Sequence, residues 1–168
     1  MALEGGEDAE TFSSGMGAIS ATLMALLNQG DHMVASADIY GGTYGLLTEE
    51  FPRFGISTTM ADMRDPASYE AAIQENTKLL YIETLTNPVL KVCDIEAMAD
   101  IAKRHNLLLL IDNTFASPWG CKPLDMGVDL VLHSTTKYLG GHSDILGGAV
   151  VGSKDLIAQI FMRKVHFG

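Results

Sequence analysis

Cysteine is scarce in this chain. Cys93 and Cys121 are the two present among 168 residues, too few for a disulfide framework or a cysteine-rich zinc site. Both stand in apolar or turn contexts and read as reduced thiols of the core or surface. No other metal-ligand spacing stands out, so no metal site is expected. Long apolar runs are missing as well; none approaches the ~20 residues of a membrane span. Met1 to Glu10 is acidic, with no basic segment leading into an apolar one. A signal peptide is therefore not expected, and the expected compartment is the cytoplasm. Positive charge is short too: 11 Lys and Arg face 21 Asp and Glu, a formal net charge of −10. An acidic body repels phosphate backbones and anionic membrane surfaces, which argues against nucleic-acid and membrane partners.

What remains is the composition of a folded domain. Hydrophobic residues make up 47% of the chain and charged residues 19%, which excludes a disordered or coiled-coil protein. A chain of this size buries about 70% of the surface its unfolded form exposes. No internal repeat, low-complexity segment or linker divides it, and it reads as one domain.

Helical and strand patterns alternate along the chain. Met16, Ile19, Leu23, Leu26 and Leu27 recur at helical spacing, and Asn28-Gln29-Gly30-Asp31 closes that helix. Short apolar stretches at His32 to Ser36, Ile56 to Ala61, Lys78 to Glu83, Leu107 to Ile111, Val128 to His133 and Gly147 to Val151 read as strands. Thr43 to Arg53 reads as a helix broken near Pro52. Asp65-Pro66 opens another, with Asp as cap and Pro at the first position. Ile95, Met98, Ala99 and Ala102 mark a further helix after Asp94, and a last one starts at Ser153-Lys154-Asp155. Leu107 to Ile111 has no polar face, as expected of a parallel strand covered on both sides. The pattern predicts an α/β fold, three-layered, with a mostly parallel central sheet. The ends are less regular. Met1 to Glu4 shows no opening element, and Ile157, Ile160, Phe161 and Val165 form an apolar helix face near Gly168 that needs a cover.

In such sheets, ligands collect at the carboxyl edge of the strands. Four stretches fit that edge. Ser13-Ser14-Gly15-Met16-Gly17 precedes the first helix, where backbone N–H groups and the helix N-terminus suit a phosphate. A dinucleotide fingerprint fails there, because Ser20 stands where the last glycine belongs and no long apolar strand precedes it. Ile111-Asp112-Asn113-Thr114 places a carboxylate at the end of an apolar strand, either capping a turn or holding a cation or protonated ring nitrogen. Glu83 to Pro88 is a turn that can put Asn87 beside a ligand oxygen. Ser134-Thr135-Thr136-Lys137 follows a strand directly, and its hydroxyls can clasp a phosphate while the lysine reaches an aldehyde. A lysine in a dry site gives up its proton more readily and can form a Schiff base. A phosphate cradle, an acid for a ring nitrogen, an amide and such a lysine are the groups that pyridoxal phosphate needs.

At this point the sequence resembles the Cys/Met-metabolism family of pyridoxal-phosphate enzymes. That family includes cystathionine γ-synthase, cystathionine γ-lyase, methionine γ-lyase and the homoserine sulfhydrylases. The carrying stretch is Asp129-Leu130, three residues, then Ser134-Thr135-Thr136-Lys137-Tyr138-Leu139, one residue, then Gly141-His142-Ser143. Ser14 to Ala18, Tyr40-Gly41-Gly42-Thr43, Glu83 to Pro88 and Asp112-Asn113-Thr114 fit in the same order. The resemblance implies the large domain of the aspartate-aminotransferase-like, fold-type I enzymes over residues 1–168. It implies pyridoxal 5'-phosphate as cofactor, a small sulfur amino acid as substrate and a homo-oligomer, a tetramer in the family.

Carried over, Lys137 resembles the lysine that holds the cofactor and takes the Cα proton, and Asp112 the partner of the ring nitrogen. Tyr40 resembles the stacking aromatic that assists proton transfer. The amides of Gly15 and Met16, with the Ser134 and Thr136 hydroxyls, resemble the phosphate cradle. Asn87 is similar to the residue that contacts the ring hydroxyl and the substrate carboxylate, with Glu83 in support. His133 and His142 read as structural, with no carboxylate partner assignable. The implied reaction is elimination or replacement at Cγ, of cystathionine γ-lyase or γ-synthase type. Tyr40-Gly41-Gly42-Thr43 lacks the cysteine typical of methionine γ-lyases, which with an O-acylhomoserine sulfhydrylase remain the alternatives in chemistry. A non-catalytic cofactor-binding fragment is the alternative of another class. The family's N-terminal arm and C-terminal domain have no counterpart here, so weak cofactor binding, poor turnover and self-association are expected.

Overall fold

The computed structural model describes residues 1–167. Seven strands form one sheet: β1 (Asp8–Phe12), β2 (His32–Ser36), β3 (Ser57–Ala61), β4 (Thr77–Glu83), β5 (Leu108–Asp112), β6 (Leu130–Ser134) and β7 (Gly148–Gly152). Their order across the sheet is β1-β7-β6-β5-β4-β2-β3. Strands β6, β5, β4, β2 and β3 pair in parallel, and β7 runs antiparallel to both β6 and β1. The expected mostly parallel sheet is thus observed.

The helices lie on both faces. They are α1 (Gly15–Leu26), α2 (Gly41–Gly45), α3 (Pro66–Ala71), α4 (Ile95–Arg104), α5 (Ser117–Gly120) and α6 (Lys154–Phe167). Strand β5 shows how its apolar run is shared. Leu110 joins Tyr81, Leu132 and the α1 side chains Ile19 and Leu23 in one core, while Leu109 and Ile111 join Met98 and Ile101 of α4 in another. Alternate residues of a strand face opposite sides, so a strand apolar on both is held between two helical layers. Each such side chain, fully buried, contributes about 1.5–3 kcal/mol.

Local capping matches the sequence. Ser14 accepts from Gly17 N at 3.0 Å, Asp65 from Ala67 N at 3.1 Å and Asp94 from Ala97 N at 3.0 Å. Three expectations change. Met1 to Glu4 holds no strand or helix, but a strand that the sequence did not suggest, β1, follows it; its mixed sequence Asp-Ala-Glu-Thr-Phe hides it because its pairing with β7 at the sheet edge asks for no apolar alternation. The single helix expected from Thr43 to Arg53 is three pieces: α2, a π-helical turn at Leu46–Glu50 and a 3-10 turn at Phe51–Phe54, with Pro52 in the last. On α6, Ile157 and Ile160 are buried in the core, whereas Phe161, Met162, Val165 and Phe167 are exposed. No helix among the described residues is long and apolar enough to cross a membrane.

Candidate functional site

A pocket of about 300 Å³ opens at the carboxyl edge of the parallel strands. Strand β4 ends there in Glu83, β5 in Asp112 and β6 in Ser134. The start of α1 brings Gly15 and Met16, the loop after β2 brings Tyr40, the loop after β4 brings Asn87, and the turn after β6 brings Thr136 and Lys137. Every site residue expected from the sequence therefore lines one cavity. They lie far apart in the chain, and the strand order brings them together.

The helix start is shaped for an anion. Ser14 occupies the Gly17 amide with its side chain and the Ala18 amide with its carbonyl, so Gly15 and Met16 keep first-turn amides without helical acceptors. A Cβ on Gly15 would come within 2.8 Å of Ser134 Cβ and 2.9 Å of its Oγ. Glycine is what lets the helix start approach the Ser134 hydroxyl so closely. The Thr136 hydroxyl is engaged with Gly147, accepting from its N at 3.0 Å and donating to its O at 3.2 Å. Gly42 has a similar steric role, since a Cβ there would lie 2.6 Å from Tyr40 Cε1.

Two carboxylates sit on the floor. Asp112 Oδ1 accepts from Thr114 N at 2.9 Å and Thr114 Oγ1 at 2.5 Å, while Oδ2 has no hydrogen-bond partner among the described residues. Enclosure by protein pushes the Asp112 carboxyl above the usual range, opposed by the Thr114 hydrogen bonds and by nearby His133. Glu83 is buried, and its Oε1 accepts from Tyr40 N at 2.9 Å and its Oε2 from Asn87 N at 3.2 Å. Burial, opposed by these two hydrogen bonds and reinforced by the charge of Asp112, pushes Glu83 to about 7.

One expectation is corrected. Lys137 is exposed, on a turn beyond the end of β6 at the pocket's edge, rather than in a dry setting. The sequence reading also gave no role to Thr114, whose Oγ1 donates to Asp112 and accepts from Ser134 N at 2.8 Å. That hydroxyl ties the acid to the phosphate-side strand end. Its place in Asp112-Asn113-Thr114 was visible, but only the adjacency of β5 and β6 reveals the bridge. His133 gains the carboxylate partner that sequence could not assign. Buried Glu4 accepts from His133 Nε2 and, at 2.9 Å, from Asn113 Nδ2. Asn113 is fixed further by Thr84 Oγ1, which donates to its Oδ1 at 2.7 Å. No group of three or more His, Cys, Asp or Glu side chains is placed to hold a metal among the described residues.

A ligand edge of this make-up defines a class: an α/β enzyme domain whose pocket suits a phosphorylated small molecule. Comparison with known proteins narrows it. The whole chain, residues 1–168, matches the family described as Cys/Met metabolism PLP-dependent enzyme. It is 54% identical over 155 residues to a cystathionine gamma-lyase of Bacillus subtilis, covering 92% of this chain and 41% of that protein. It is 46% identical over 159 residues to an L-methionine gamma-lyase of Porphyromonas gingivalis, covering 94% of this chain and 40% of that protein. A crystal structure of cystathionine gamma-lyase from Lactobacillus plantarum complexed with L-serine superposes with a TM-score of 0.94 at 46% identity, covering 98% of this chain and 44% of that one. The chain belongs to the Cys/Met-metabolism family of pyridoxal-phosphate-dependent enzymes. It spans less than half the length of these relatives.

Proposed function

We propose that residues 1–168 form the cofactor-binding large domain of a pyridoxal-phosphate enzyme that cleaves or exchanges a carbon–sulfur bond at Cγ of a sulfur amino acid. The type is cystathionine γ-lyase or γ-synthase. The observation that carries this reading is the convergence of the α1 start, Asp112 and Lys137 on one pocket. The residues fit the group: the cradle closes only because Gly15 has no Cβ, and Asp112 keeps one oxygen free at the pocket floor.

When bound, pyridoxal phosphate supplies an electron-accepting ring that stabilises negative charge at the substrate's α-carbon. Gly15 and Met16 N–H groups and the Ser134 hydroxyl hold its phosphate, with Thr136 beside them. Asp112, whose Oδ2 has no hydrogen-bond partner among the described residues, would accept from the ring nitrogen and favour its protonated form. Tyr40 would pack on the ring, and Asn87 would meet the ring hydroxyl and the substrate carboxylate; both line the pocket. Lys137, which lines the same pocket, would hold the aldehyde end of the cofactor, and its amine could take or return a proton at the substrate's Cα. Its exposure on a turn gives the chain-end amine the freedom that these two tasks require. A homo-oligomer completes the reading, supported by exposed Val92, Trp119 and Leu146.

An absorbance spectrum with added pyridoxal phosphate tests cofactor binding. A visible band lost on dialysis against a competing amine is expected, and a spectrum equal to that of free cofactor overturns the reading. Release of 2-oxobutanoate and cysteine from cystathionine, set against methanethiol from methionine, then separates the reaction types.

A further inference from the structure

Tyr40 and Asn87 belong to different loops, one after β2 and one after β4, and both line the pocket. Both are held through their backbone amides by the same side chain. Glu83 Oε1 accepts from Tyr40 N at 2.9 Å and Oε2 from Asn87 N at 3.2 Å. The carboxylate is 4% exposed and forms no ion pair among the described residues. We propose that Glu83 is a positioning residue whose ionised carboxylate clamps these two loops in one arrangement, and that uptake of a proton releases one arm of the clamp.

The chemistry of the group dictates the release. A carboxylate accepts on both oxygens, whereas the acid keeps one acceptor oxygen and turns the other into a donor. The hydroxyl oxygen is a far poorer acceptor than a carboxylate oxygen and its proton competes for the same space as the N–H, so protonation loosens either Tyr40 or Asn87. Its surroundings place this change in the neutral range. Asp112 lies beside it on β5, Tyr81 on β4 and Tyr69 on α3, none of which brings positive charge, and Lys137, which lines the same pocket, forms no ion pair with it. The Lys91–Asp38 ion pair joins the same two loops further out, with Asp38 shielding the lysine. Burial holds Glu83 at about 7, so the clamp is divided between its two states near neutrality.

That the clamp serves a cofactor rests on the function proposed above; the clamp itself is visible without one. NMR of the unliganded chain should show the Tyr40 and Asn87 amides moving together with a single midpoint of about 7. In Glu83→Gln, neither should titrate in that range. Independent movement, no movement, or the same titration in the glutamine variant overturns the proposal. If Glu83→Gln does not fold, the unaltered chain's titration still decides. A second readout is pyridoxal phosphate affinity against pH. Glu83→Gln should bind several-fold more weakly than the unaltered protein above pH 7 and equally well below it; a gap that ignores pH overturns the proposal. Absence of cofactor binding by the unaltered chain would refute the proposed function, while the amide titration would still judge the clamp.

Discussion

Glu83 and Asp112 are cross-strand neighbours, the last residues of β4 and β5, paired in register in a parallel ladder. Two carboxylates thus share one strand edge, and neither forms an ion pair among the described residues. Burial pushes both upward, and Asp112's charge adds to the effect on Glu83. Such a pair costs stability in the unliganded protein, and it presents concentrated negative potential to whatever cation the pocket receives.

The cost makes stability depend on pH. Glu83 is raised from 4.5 to about 7 in the folded state, so the unfolded chain loses this proton first. Its contribution is full below about 4.5 and is lost as pH rises through about 7. The interval of two to three units, at about 1.4 kcal/mol per unit, is on the order of 3 kcal/mol. Urea unfolding at a series of pH values should show this fall, and Glu83→Gln should flatten it. An equal slope in the variant would assign the pH dependence to other groups.

Lys137→Ala should abolish covalent attachment of pyridoxal phosphate while changing stability by less than about 0.5 kcal/mol, because the side chain is exposed. Borohydride treatment of the loaded protein followed by peptide mapping should place the pyridoxyl group on Lys137. A label on Lys122 or Lys154 contradicts the assignment.

Asp112→Asn should leave the fold as stable as before or more so, since a neutral amide removes the enclosed carboxylate. Cofactor affinity should fall by roughly tenfold to a hundredfold, the weight of one charge-assisted contact of about 1.5–3 kcal/mol. Parallel thermal-shift and cofactor titrations read the two effects separately. Unchanged affinity excludes Asp112 as the ring-nitrogen partner.

Glu4→Ala should destabilise the chain by roughly 3 kcal/mol, because it leaves His133 Nε2 buried without an acceptor and Asn113 Nδ2 with Cys121 O alone. The expected signature is a lower urea midpoint at unchanged slope. A midpoint within error of the parent would mean that Glu4 is a surface residue in solution.

Local pattern carried much of this protein. The apolar stretches predicted the inner strands, because a strand covered on both faces has no choice but to be apolar throughout, as in Leu109, Leu110 and Ile111. Polar residues breaking off such runs marked Glu83, Asp112 and Ser134 as strand ends, where ligands gather. Strand β1 escaped notice because a five-residue edge strand needs backbone partners rather than a buried face. Lys137 was misjudged as dry because exposure depends on what surrounds a turn, which its neighbours in sequence do not reveal. Pairings between distant residues follow from strand order, and periodicity is silent on order. Placing β5 between β4 and β6 is what sets Glu83 beside Asp112 and Thr114 under Ser134, and the β1-β7-β6 edge is what brings the chain start, with Glu4, to the side of β6 that carries His133. The residue types that do the chemistry can be read in one dimension, but their electrostatics arise from neighbours up to 129 positions away.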